Sequence, residues 1–137
     1  MARRFERTLA DEYPVALLLA PSQRGAELLR LALRTQYEVI VVPDLESLLA
    51  AARSRPSDIV FLDLPAAPAV AAVSRLRLEK LTAFLPIVLL WEGAADHLAE
   101  RVRQDRLVAV ARRQGLLKLG EASGRKRSPS RAGSARA

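Results

Sequence analysis

The sequence predicts a doubly wound α/β fold with a parallel sheet of five strands, and three features lead to this prediction. Short apolar runs of strand length alternate with segments that carry apolar residues at helical spacing. The runs are apolar throughout, which is typical of parallel strands that are buried on both faces. At 137 residues the chain is long enough to bury one substantial core.

The first four strands and three helices follow directly from these runs and the residues that interrupt them. Ser22 and Asp44 stand where helix N-caps are expected, and Pro56 and Pro86 mark the end of a helix and the start of a strand. β-Branched residues throughout 39–42 favour a strand over a buried helix. The predicted elements are strands at 15–19, 39–42, 59–62 and 87–91, and helices at 23–35, 45–54 and 69–83.

Two interpretations of the last part of the domain remain open. In the first, a helix covers 94–105, a fifth strand 107–111 and a short helix 113–122. In the second, one helix runs over 94–113 and the strand is 116–119. We favour the first, because 107–111 is a short apolar run with charged residues on either side.

The chain divides into a polar leader at 1–12, one domain at 13–120 and a basic tail at 121–137. The tail has no large apolar side chain and is expected to be disordered. It holds five of the 22 basic residues and one of the 15 acidic ones, so it supplies much of the net charge of +7. A contact with nucleic acid through residues 125–136 is the alternative to a purely solubilising role.

Composition excludes several classes of site. There is no cysteine and a single histidine, His97, so disulfides, thiolate metal sites and multi-histidine metal sites are excluded. No apolar run approaches the roughly 20 residues that a membrane-spanning helix needs. We therefore expect a cytoplasmic protein with no membrane partner.

Asp63 is the main candidate for a functional residue. It follows the apolar run 59–62 directly, and a carboxylate at the end of a buried strand is costly unless something stabilises it. In open α/β sheets this end of the strands is where ligand sites are assembled. With the strand and helix spacing over residues 14 to about 112, this position resembles the receiver domain of bacterial response regulators, which is flavodoxin-like. The resemblance implies that Asp63 is the phosphoacceptor.

The other residues of the receiver site differ in this chain. Receivers carry an acidic pair that binds Mg²⁺ after the first strand, where Ala20 and Pro21 stand here. Mg²⁺ is usually held by at least one or two carboxylates, so Asp63 alone predicts weak or absent Mg²⁺ binding and no metal site. The resemblance therefore indicates a pseudo-receiver.

Two further positions also depart from the receiver pattern. Trp91 stands where receivers use a threonine or serine to contact the phosphoryl group, and we expect it to be largely buried beside Asp63. The receiver lysine at the end of strand five corresponds to Arg112 in the favoured interpretation and to Lys118 in the alternative. An arginine keeps the charge of a lysine but not its geometry.

The resemblance predicts a stand-alone receiver-like signalling module of a phosphorelay or two-component system, with no catalytic residues and no cofactor. It would contact a kinase or a downstream signalling protein, with phosphorylation of Asp63 impaired or absent. The sequence leaves open both a monomer and a homodimer. The alternative function is a small nucleic-acid-associated protein that binds through its basic tail.

Overall fold

The computed structural model describes residues 13–93 and 100–136, without the side chains of 101 and 125–136. The strands are β1 (Val15–Leu19), β2 (Glu38–Val42), β3 (Ile59–Leu62), β4 (Ile87–Trp91) and β5 (Val108–Arg112). The helices are α1 (Gln23–Leu33), α2 (Leu45–Ser54), α3 (Ala66–Leu78), α4 (Glu100–Arg103) and α5 (Arg113–Arg136). The predicted leader at 1–12, His97 and the first part of the helix predicted at 94–105 lie outside the described residues.

The five strands form one parallel sheet in the order β2-β1-β3-β4-β5, which confirms the predicted doubly wound, flavodoxin-like fold. The fifth strand is the first of the two predicted candidates, since Val108 to Arg112 pair with Ile87 to Trp91. The order in which strands are added to the sheet reverses between β1 and β3. This topological switch point places a crevice at the carboxyl ends of the two strands.

Two apolar cores cover the two faces of the sheet. One joins the strands to α2 and α3 and includes the fully buried Leu17, Leu48 and Leu76. The other joins them to α1 and α5, with Leu18 and Leu29 at its centre. Consecutive strand residues point to opposite faces, so a strand buried on both sides has to be apolar at every position.

Helix α3 begins and ends earlier than the sequence predicted. The prediction placed it over 69–83, after Pro68, whereas it spans Ala66–Leu78. Pro68 is tolerated in the first turn because the amide groups there have no partner within the helix. After Leu78 the backbone continues as short turns, with Glu79, Thr82 and Leu85 donating to carbonyls three residues earlier.

The C-terminal helix corrects one prediction. The sequence predicted a short helix over 113–122, whereas the backbone is helical from Arg113 to Arg136. Its first half packs closely on α1, where a Cβ on Gly120 would lie 2.0 Å from the carbonyl oxygen of Leu28. Tertiary packing on α1 therefore supports the first half of this helix, which includes the predicted 113–122.

No helix within the described part of the chain is both long and apolar enough to cross a bilayer.

Arg77 holds the end of α3 to the turn before β5. Its guanidinium donates to both carboxylate oxygens of Asp105, at 2.8 and 3.4 Å, and to the carbonyl oxygens of Thr82 and Leu85. The hydrogen bond from Arg77 lowers the pKa of Asp105, and the amide of Leu107 acts in the same direction, while desolvation opposes them. A carboxyl whose pKa is lowered by folding stabilises the protein only when it is ionised.

Substituting Asp105→Asn should therefore destabilise the protein in a pH-dependent way. We expect a loss of about 1 kcal/mol near neutral pH, in the range of partly exposed charged hydrogen bonds. The difference from the parent should shrink as the pH falls below about 3.9 and the parent's carboxyl becomes protonated. Urea unfolding at several pH values measures this, with Glu27→Gln in an exposed ion pair as the control. A difference that stays constant down to pH 3 would contradict it.

Candidate functional site

Asp63 lies at the switch point of the sheet, as the sequence predicted. Its backbone amide donates to the carbonyl oxygen of Leu19 at 2.9 Å, which extends the pairing of β3 with β1 by one residue. On the other side of β1 the amide of Ala20 donates to Val42 in the same way. The Asp63 side chain is only 7% exposed, so its charge needs a partner.

That partner is Arg113, the first residue of α5. Its Nε donates to Asp63 Oδ1 at 2.6 Å and its Nη2 lies 3.3 Å from Oδ2, a two-point contact between guanidinium and carboxylate. The Arg113 side chain is 33% exposed. The hydrogen bond to Asp63 raises the pKa of Arg113, the charges of Asp63 and Glu92 add to this, and partial burial opposes it.

The first turn of α1 leaves room for this pair. Ser22 caps the helix by accepting a hydrogen bond from the amide of Gly25 at 3.1 Å. A Cβ on Gly25 would lie 3.2 Å from Arg113 Nη2 and 3.5 Å from Asp63 Oδ2. A side chain at position 25 would therefore press on the pair, and glycine lets the guanidinium pass over the helix.

Two carboxylates from neighbouring strands anchor the start of α5. Asp63 binds the side chain of Arg113, and Glu92, just after β4, accepts a hydrogen bond from the amide of Gln114. The first turn of α5 contains no acidic residue of its own. Because a cation at a helix N-terminus opposes the helix dipole, Asp63 and Glu92 offset a cost that Arg113 would otherwise create.

A cleft of about 460 Å³ lies over this pair. Its walls are mainly apolar and come from the residues after β1, β3 and β4, with the carboxylates of Asp63 and Glu92 and the guanidinium of Arg113 as its charged groups. The lining residues are Pro21, Ser22, Asp63, Leu64, Pro65, Ala66, Leu90, Trp91, Glu92, Gly93 and Arg113.

Trp91 belongs to this cleft, as predicted, but it is less buried than expected. It is the last residue of β4, and its indole is partly exposed where it packs against the core on the α2 and α3 side. Its Nε1 would lie 3.2 Å from a Cβ on Gly93, so the ring covers the backbone after β4. Trp91 therefore forms one wall of the cleft and does not fill it.

The basic residue at the end of strand five is not one of the two that the sequence named. Arg112 and Lys118 are both exposed, and neither lines the cleft, whereas Arg113 contacts Asp63. Side chains alternate along a strand, so Arg112, the last residue of β5, points away and the next residue turns toward β3. Both arginines were visible in the sequence, and the alternation of side chains along a strand could have indicated that Arg113, and not Arg112, faces Asp63.

The receiver resemblance implies Mg²⁺, and the residues at this site do not fit it. Ala20 is a buried methyl group and Pro21 an exposed ring, and neither offers an oxygen from its side chain. Asp63 is paired with Arg113, whose positive charge would repel a metal ion, and the other carboxylate that lines the cleft, Glu92, accepts a hydrogen bond from the amide of Gln114. Within the described part of the chain, no group of three or more acidic, histidine or cysteine residues could hold a metal ion.

Comparisons with known proteins agree with this architecture. No protein-family model and no curated protein sequence matches the chain. Two solved structures of the chemotaxis response regulator CheY4 of Vibrio cholerae superpose with TM-scores of 0.63 and 0.64, at 19% identity, over 81% of this chain and 98% of theirs. The Mn²⁺-bound form of response regulator Rcp1 gives a TM-score of 0.55 at 19% identity, over 82% and 92%. The chain therefore has the fold of these response regulators, and at its carboxylate site Asp63 is paired with Arg113.

Proposed function

We propose that the protein is a stand-alone receiver-like signalling module that acts by protein–protein contact, with phosphorylation at Asp63 impaired or absent. The observation that carries this proposal is the two-point contact between Asp63 and Arg113. The fold supports a receiver-like role, and the residues at its carboxylate site argue against the ordinary phosphorylation chemistry. The proposed partner is a kinase or a downstream signalling protein.

The contact with Arg113 makes Asp63 a poor phosphoryl acceptor. A carboxylate paired with a guanidinium is a weaker nucleophile, because the cation stabilises the negative charge that would attack phosphorus, and both oxygens of Asp63 accept hydrogen bonds from Arg113. Phosphoryl transfer also relies on a cation placed to neutralise charge on the transferring group. Arg113 is the cation in place, and its charge is directed at Asp63 instead.

A titration with beryllofluoride and Mg²⁺, followed by NMR, tests this proposal without the cognate kinase. We expect the parent protein to show no saturable shift around residue 63 at Mg²⁺ concentrations well below about 1 mM, since it lacks the carboxylates that Mg²⁺ requires. Saturable shifts there, or stoichiometric labelling of Asp63 by acetyl phosphate, would overturn the proposal.

A restored variant is the positive control for the same titration. Ala20→Asp and Pro21→Asp supply the missing carboxylates, and Arg113→Lys keeps the charge while releasing the two-point contact. The triple variant should bind Mg²⁺ more tightly than the parent and show shifts with beryllofluoride. Arg112→Lys in place of Arg113→Lys is the matched control, because Arg112 is exposed and does not line the cleft.

The nucleic-acid alternative makes a different prediction for the end of α5. If its five basic residues bind phosphates of duplex DNA, the log–log salt slope of binding should approach about −4.5. Removing 125–137 should then abolish binding, while the packing of Gly120 on α1 and the unfolding midpoint are retained. We expect instead that the intact protein shows no such salt-dependent binding, and a steep slope lost on truncation would favour the alternative.

A further inference from the structure

The end of the molecule opposite the cleft carries a group of exposed apolar side chains. Leu78 is 81% exposed, Leu81 60% and Phe84 83%, and Leu107 beside them is 39% exposed. They lie at the amino ends of β4 and β5, where the amide of Ile87 donates to the carbonyl of Leu107. We call these four residues the apolar end face. Contiguous exposed apolar side chains mark an interaction site more often than chance exposure.

Leu78 is the last residue of α3, and Leu81 and Phe84 lie in the turns that follow it. Glu79, Thr82 and Leu85 each donate an amide hydrogen bond to the carbonyl three residues earlier. Thr82, at 1% exposure, faces inward, whereas Leu78, Leu81 and Phe84 are all more than half exposed.

Hydrogen bonds within the protein hold these turns in place. The hydroxyl of Thr82 donates to the carbonyl of Leu76 at 2.6 Å. Arg77 donates to the carbonyls of Thr82 and Leu85 and is itself held by Asp105. The backbone that carries the apolar end face is therefore held by several hydrogen bonds, so little conformational entropy is lost there on binding.

The rim of the apolar end face is cationic. Lys80, Arg103 and Arg106 are exposed, and none of the three has an ion pair within the described part of the chain. The neighbouring acids are neutralised, since Glu79 pairs with Arg53 and Arg75, and Asp105 pairs with Arg77. Two carboxylates near the rim have no ion pair within the described part of the chain: Asp58, just before β3, accepts a hydrogen bond from the amide of Val15, and Glu100, on α4 with Arg103, accepts one from Gln104.

We propose that the apolar end face docks on an anionic lipid bilayer, with Leu78, Leu81 and Phe84 entering the acyl region and the cationic rim contacting the headgroups. Side chains this exposed project from the surface, and fluid acyl chains close around projecting groups without needing preformed pockets. The three cations complement anionic headgroups. They disfavour a second copy of the same face, because its rim would be cationic too.

This proposal does not depend on the proposed function, because it uses the opposite end of the sheet from Asp63. It differs from the sequence-based expectation of no membrane partner, which rested on the lack of a spanning segment. A surface contact requires no such segment.

Vesicle co-sedimentation of the full chain tests it, with vesicles of equal parts phosphatidylglycerol and phosphatidylcholine against phosphatidylcholine alone. We expect binding to the anionic vesicles, weakened about tenfold or more by Leu78→Ser with Phe84→Ser. Lys80→Glu with Arg106→Glu should weaken it similarly. The controls are Leu119→Ser and Lys118→Glu, which alter an exposed leucine and an exposed lysine on α5.

A single-cysteine label locates the contact, since the chain has no cysteine of its own. An environment-sensitive dye on Phe84→Cys should shift to shorter wavelength with anionic vesicles, whereas the same dye on Leu119→Cys should not. No binding to vesicles overturns the proposal, as does binding that the variants of the apolar end face leave unchanged. Self-association that Phe84→Ser abolishes, without vesicle binding, would assign the face to a second copy and overturn it too.

Discussion

Gly120→Ala should destabilise the protein by about 2–3 kcal/mol, at the upper end of what overpacking a well-packed core costs. The added Cβ would lie 2.0 Å from the carbonyl oxygen of Leu28 and 2.8 Å from its carbonyl carbon. Both atoms belong to the backbone of α1, so no change of side-chain rotamer relieves the contact. Helix α5 would have to move away from α1 and give up part of the packing between them. Urea unfolding followed by circular dichroism measures the change.

Gly115→Ala is the matched control on the same helix. No atom lies within 4 Å of the position where its Cβ would stand. Alanine in a helix is favoured over glycine by roughly 0.5–1 kcal/mol, so this variant should be slightly more stable than the parent. If Gly120→Ala behaves like Gly115→Ala, then α5 does not pack on α1 at the distance described.

The strands were the most predictable part of the fold. β1, β3 and β4 have the bounds that the sequence predicted, because each is an apolar run between residues that interrupt a strand. The fifth strand was one of two alternatives, since a short apolar run next to a helix has no periodicity that separates the two. Its pairing with β4 along the full length of both strands is a tertiary feature.

The helix ends were less predictable because packing decides them. The sequence placed the end of the folded part near residue 120, because no large apolar side chain follows it. Gly120 lies buried against α1, and its lack of a side chain permits the close approach. From the local sequence alone, a glycine indicates the end of a helix. Once the partner helix is known, the same glycine can be recognised as a residue that permits close packing.

The location of the site could be predicted from the sequence, whereas the partner of Asp63 could not. Asp63 was found as a carboxylate at the end of an apolar run, where its charge needs something to stabilise it. Which arginine approaches depends on the face of the sheet that each side chain at the end of β5 reaches, and this could be worked out only after one of the two candidate strands had been chosen. The role of Gly25 depends on the path of a side chain 88 positions further along the chain.

Arg113→Ala and Asp63→Ala should destabilise the protein to different extents, although they break the same contact. Arg113→Ala leaves a carboxylate that is 7% exposed without its cation. Removing one partner of a fully buried pair costs about 3–5 kcal/mol, so with Arg113 one-third exposed we expect about 2–3 kcal/mol here. Asp63→Ala leaves an arginine that water already reaches, and we expect about 1 kcal/mol.

The double variant separates the pair from the surrounding structure. Asp63→Ala with Arg113→Ala leaves no unpaired charge, so its stability should lie near that of Asp63→Ala rather than at the sum of the two single losses. Arg112→Ala is the matched control, because that side chain is exposed and should change the stability by less than about 0.5 kcal/mol. Equal losses for the two single variants, or additive losses in the double variant, would mean that Arg113 does not compensate the charge of Asp63. Asp63 would then be free for phosphoryl chemistry, and the proposed impairment would lose its physical basis.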